Sequence, residues 1–232
     1  MGDLLDKLEK ENKQETKQIK LQNPDLTDYL LQNLEEIFKF ACRHNPLKDD
    51  IPGEISRKTS SIYASAKDIE SLCSKIKDFE NKANFAMWAG MYINDLINNS
   101  KDNEFVLQIG HLDKRIEFIG AYNKGKNIQV IGNLGNEIGF LMKSGYLNVD
   151  GNTNIVGQNM SGGTIIVNGY CNLVGLGMRG GEIYCYPYQK YGILYDLFLK
   201  SEILDPFLMK RRPGGNIYVN DKLLIKNGRL VK

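Results

Sequence analysis

The chain has 232 residues, enough for one large domain or two modest ones, and its 42% hydrophobic and 25% charged content is that of an ordinary globular protein. A formal net charge of +2 gives no argument for nucleic acid or an acidic membrane surface as partner. No run approaches the roughly 18 apolar residues of a membrane span, the opening MGDLLDKLEKENK does not read as a signal peptide, and Asp6 stands where a myristoylation motif wants Ser or Thr.

Glycine divides the chain. Residues 1–100 hold Gly2, Gly53 and Gly90, and the other twenty fall after residue 109. The expectation is an α-helical N-terminal segment over 1–100 and a β domain over 101–232. Residues 3–22 form a charged helix candidate with Leu4, Leu5 and Leu8 on one side, broken by Asn23-Pro24-Asp25. Asp25 or Thr27 can cap a second helix, in which Leu30, Leu31, Leu34, Ile37, Phe38 and Ala41 form one apolar stripe. Asn45-Pro46 ends it, and Lys48 to Ser61 reads as loop with Pro52-Gly53 as a turn. Ser65-Ala66-Lys67-Asp68 resembles a capping box, followed by Ile69, Leu72, Cys73, Ile76 and Phe79 at helical spacing. Phe85, Trp88, Ala89, Tyr92, Ile93 and Leu96 continue that spacing in a further helix. Such stripes are usually core, with Trp88 the residue that could instead anchor a partner protein.

The second half falls into rows. Met142, Met160 and Met178 are spaced by 18, and so are Gly139, Gly157 and Gly175, Gly145, Gly163 and Gly181, Asn136, Asn154 and Asn172, and Ile138, Val156 and Val174. Upstream, Ile128 to Leu147 and Gly132 to Gly151 step by 19, so an extra residue lies between Gly132 and Asn136. Registers agreeing at one period mark an internal repeat. Each row holds a short alternating segment, as in Thr164-Ile165-Ile166-Val167, with a glycine doublet before it where the chain must bend. A coil of this length stacking on its neighbour makes a parallel β-helix, with equivalent side chains in internal columns. Phe105 to Ile109 and Arg115 to Gly120 read as further strands, and Asn227-Gly228 as a hairpin turn. Gly214-Gly215-Asn216-Ile217 repeats the phrase after a gap too long for one coil, so about 187–212 reads as a partly helical insertion.

The stretches "VGQNMSGGTIIVNG" (156–169) and "VGLGMRGGEIYC" (174–185), with the weaker "IGFLMKSGYLNVDG" (138–151), resemble the G-x-G-x-G repeat domain at the C-terminus of the glutamate synthase large subunit. They also look like the G-x-G-x-G repeat subunit of formylmethanofuran dehydrogenase. The likeness covers roughly residues 105–185 and part of 213–222. It implies a mainly β fold, a single-stranded right-handed parallel β-helix, joined here to an N-terminal α-helical segment with no counterpart in either family. It also implies a domain without catalytic residues that docks against catalytic modules.

The expected function is therefore a non-catalytic structural or assembly subunit of an oxidoreductase or amidotransferase complex, cytoplasmic, with other protein subunits as partners and a homo-oligomer left open. The competing readings are weaker on residue chemistry. Gly175, Gly177 and Gly180 spell G-x-G-x-x-G, but Glu182-Ile183-Tyr184 promises a strand where a dinucleotide site needs a helix. A β-helix acyltransferase-like enzyme acting on a small molecule is the alternative; it wants an aliphatic step of six and a catalytic His, and His111 lies only at the edge of the repeat. Cys42, Cys73, Cys171 and Cys185 form no C-x-x-C and read as buried thiols; with His44 and His111 the only histidines, no metal or other cofactor is expected. Lys210-Arg211-Arg212 is a candidate contact on a solvated loop.

Overall fold

In the computed structural model of the chain, residues 26–43, 51–186 and 214–231 are described. The expected helix over 3–22, the candidate cap Asp25, and the 187–212 insertion lie outside them, as do His44, Lys210, Arg211 and Arg212. Among the described residues four α-helices come first. α1 (Leu26–Arg43) buries Leu30, Leu34, Ile37 and Phe38. α2 (Ile51–Thr59) stands where the sequence reading expects a loop. Pro52-Gly53 reads as a turn, but proline in the first turn of a helix forfeits only an N–H that has no intrahelical partner. α3 (Ala66–Lys75) opens on the Ser65 capping box: the Ser65 hydroxyl accepts from Asp68 N at 3.3 Å, and the Asp68 carboxylate accepts from Ser65 N at 2.8 Å. A short 3-10 turn, Ile76–Phe79, follows. α4 (Phe85–Asn99) is a separate helix because Asn84 turns left-handed at φ 54°. Phe38 stacks on Phe79 and Phe85 at centroid distances of 6.0 and 6.2 Å, and Tyr92 donates its hydroxyl proton to Leu30 O at 3.1 Å.

The remainder is a parallel β-solenoid. β1 (Glu104–Gln108), β2 (Lys124–Ile131), β3 (Ser144–Asp150), β5 (Thr164–Val167), β7 (Arg179–Cys185) and β8 (Gly214–Val219) pair in that order, all parallel. β4 (Ile155–Val156) and β6 (Leu173–Val174) form a second, short parallel ladder, extended by a bridge from Ile138 to Val156. β9 (Lys222–Lys226) and β10 (Arg229–Leu230) continue the main sheet antiparallel, turning at Asn220-Asp221 and again at Asn227-Gly228. The register builds two apolar columns: Phe105, Ile128, Leu147, Ile165, Ile183 and Ile217 in one, and Leu107, Val130, Val149, Val167, Cys185 and Val219 in the other. All but Val219 are buried, each contributing roughly 1.5–3 kcal/mol for the larger aliphatics.

Residues 115–120 form no strand of the main sheet, contrary to the alternation that predicts one. β1 pairs with β2 in their stead, and Ile116 bridges Leu134 on the other side of the coil. The extra residue of the 19-residue step falls at Leu134-Gly135: Asn152 N donates to Asn133 Oδ1 at 2.8 Å, nineteen positions back, whereas Asn154 Nδ2 donates to Asn136 Oδ1 at 2.6 Å, eighteen back.

The helices close one end of the solenoid. α3 packs on β1, and Glu117 N donates to Ala86 O of α4 at 3.0 Å. That approach needs Gly90: a Cβ there would stand 1.9 Å from Glu117 O.

Candidate functional site

Met142, Met160 and Met178 are 0%, 0% and 4% exposed, so all three belong to the interior. Each donates its N–H to a glycine carbonyl three residues back, Gly139, Gly157 or Gly175, at 3.1, 3.1 and 3.0 Å. Those glycines hold φ of 66–68° and face the next strand's aliphatic column. Gly145, Gly163 and Gly181 hold φ of 88–93° at the bend into each strand. A Cβ on Gly163 would meet Met142 Cε at 2.7 Å and Gly145 O at 2.9 Å. Asn136, Asn154 and Asn172 form an amide ladder in which each lower carbonyl accepts from the amide above. Its first member donates to Glu117 Oε1 at 2.8 Å. Beside that end, burial and the neighbouring Glu117 carboxylate push the Glu137 carboxyl above its ordinary value.

Trp88 is 4% exposed and lies in the helical core, as the apolar stripe of its helix expects. Its position on α4 places it among the apolar residues packed between helices and first coil. Cys42 departs from the buried-thiol expectation: it falls off the apolar stripe of α1 and is exposed. Cys73, Cys171 and Cys185 are buried. Burial pushes the Cys73 thiol up to about 12. Cys171 Sγ lies 3.1 Å from Cys185 Sγ, and that contact, then burial, raises the Cys185 thiol well above its usual value. His111 is on an exposed turn, with no hydroxyl or thiol nucleophile bonded to it among the described residues. The G-x-G-x-x-G stretch runs from β6 directly into β7, so among the described residues no helix N-terminus follows Gly175, Gly177 or Gly180. Among the described residues no group of three or more His, Cys, Asp or Glu could hold a metal ion, and no helix is long and apolar enough to cross a membrane.

Two surfaces remain. The outward face of the main sheet carries the column Asn148, Ile166, Tyr184 and Tyr218. Tyr184 and Tyr218 stack at 4.4 Å and 5° between planes. Burial and the hydrogen bond to Glu182 push the Tyr184 phenol up to about 12. Tyr146, on the neighbouring column of β3, is 38% exposed.

The second surface is a cleft of about 730 Å³ between α2, α4 and the first coils. Asn94 and Asp95 of α4 line one side, and Phe118, Tyr122, Lys124 and Lys143 line the solenoid side. Asn94 is 5% exposed; its Nδ2 donates to Ala121 O at 2.8 Å, and its Oδ1 has no partner. Asp95 Oδ2 accepts from Ser56 Oγ at 2.8 Å and Thr59 Oγ1 at 3.0 Å. No motif marks this cleft, because its residues come from four separated stretches of the chain.

No protein-family model, curated protein or solved structure matches the chain.

Proposed function

We propose that the chain is a non-catalytic scaffold that docks on partner catalytic subunits, with its solenoid a single-stranded, right-handed parallel β-helix. The resemblance of its rows to the repeat domains of glutamate synthase and formylmethanofuran dehydrogenase gives the partner class: an oxidoreductase or amidotransferase. The observation that carries the reading is the outward sheet face. Backbone pairing in register sets Tyr184 and Tyr218 in one flat stack, with Ile166 beside them and exposed Tyr146 on the adjoining column. Tyrosines in a rigid, pre-ordered array are the residue type that anchors protein interfaces at low entropic cost. The interior columns are apolar, built from aliphatic side chains and methionines with Phe105 and the Cys185 thiol.

The test is affinity capture of the full chain from its source cell. A larger catalytic subunit should co-purify in fixed stoichiometry, and a Tyr184→Arg/Tyr218→Arg variant with an unchanged melting temperature should lose it. Recovery of the chain only as a free monomer would overturn the proposal.

A further inference from the structure

We propose that the cleft between α2, α4 and the first coils binds a small organic anion carrying a ring. Its volume, about 730 Å³, is in the range of small-molecule sites. Three lysines line it against one aspartate. The Lys126 ammonium is already committed, donating to Ser100 O and Asp102 O at 2.7 Å each. Lys124 and Lys143 are exposed, and their ammonium groups make no ion pair or hydrogen bond among the described residues. Asp95 pairs with neither; its bonds run to the hydroxyls of Ser56 and Thr59 on α2. The cleft thus holds an excess of positive charge with two ammonium groups still available to an acidic group of a ligand.

The remaining lining supplies the rest of the ligand's chemistry. Phe118 and Tyr122 sit at φ 62° and 57°, the left-handed corner that Glu137 and Leu141 repeat one coil on at 61° and 53°. Both rings meet Phe140 edge to face, at 6.4 and 5.7 Å, which fixes them as one aromatic wall. Tyr122 remains 50% exposed, so part of that wall is open to a ring. This inference does not depend on the scaffold reading, because it concerns a different face of the molecule.

Isothermal titration calorimetry on the full chain tests it. AMP, phenyl phosphate and benzoate serve as ring-bearing anions, adenosine as an uncharged ring, and inorganic phosphate as a bare anion. At least one ring-bearing anion should bind more tightly than adenosine and phosphate. A Lys124→Ala/Lys143→Ala variant should bind it at least roughly tenfold more weakly, with an unchanged melting temperature. Tyr122→Ser should weaken the same anion while leaving phosphate unaffected. The proposal is overturned if none of the three ring-bearing anions binds, if binding survives loss of both lysines, or if phosphate binds as tightly as AMP.

Discussion

Gly157 shows how little space one coil leaves for the next. Its φ is 66°, and a Cβ would stand 2.4 Å from Ile183 Cδ1. Gly157→Ala therefore combines left-handed strain with overpacking, and a loss of about 2–5 kcal/mol is expected in denaturant unfolding. Gly110→Ala is the control, since its Cβ would meet nothing nearer than Ile131 O at 3.7 Å; its stability should be unchanged. A second residue-scale effect belongs to Glu137, whose carboxyl is raised above 4.5 by burial and by Glu117. The folded chain then holds that proton more tightly than the unfolded chain. The favourable contribution is complete below the unfolded value and is lost as pH rises through the raised folded value. Glu137→Gln is expected to raise the melting temperature at about pH 7.5 and to change it little at about pH 4. Thermal melts across pH decide it, and a larger gain on the acid side would contradict the assignment. The repeat at Gly139, Gly157 and Gly175 is legible in the sequence because a backbone bend that recurs asks for the same residue each time. Exposure of Cys42 is less legible, since its neighbour Ala41 lies on the apolar stripe and a single position decides which way the side chain faces.

At the scale of elements, the junction of α4 with the solenoid rests on a close backbone approach. The Glu117 N–H to Ala86 O bond exists because Gly90 presents no side chain there. Asn94 and Asn98 reinforce it by donating to Ala121 O at 2.8 and 3.3 Å. Gly90→Ala should push α4 away from the first coil and speed hydrogen exchange at Glu117 and Gly135, while β5 and β7 keep their protection. Uniform loss of protection along the solenoid would show that the junction carries the whole fold. The helical stripes and the 18-residue rows are legible because each rests on a period that the side chains must keep. Two elements are not. A Pro-Gly pair compatible with a first helical turn disguises α2, and residues 115–120 alternate like a strand yet pair on the other side of the coil. The candidate cleft is hidden for a related reason: it is assembled by docking helices on a sheet, and docking leaves no period in a sequence.

Over the whole molecule, a solenoid must manage its two open ends. One is covered by α3 on β1, with α4 against β2. At the other, the sheet reverses into β9 and β10, where exposed Lys222, Lys226 and Arg229 discourage addition of a further strand. Between these ends the register is simple: Tyr146 lies directly below Thr164, and Gly145 occupies the same bend as Gly163. Excising residues 146–163 would carry Gly145 straight into Thr164 with the neighbouring positions still matched. The protein is in this sense a stack of interchangeable storeys. Its height can be altered by adding or removing whole floors of about 4.8 Å, leaving the roof and the foundation as they are.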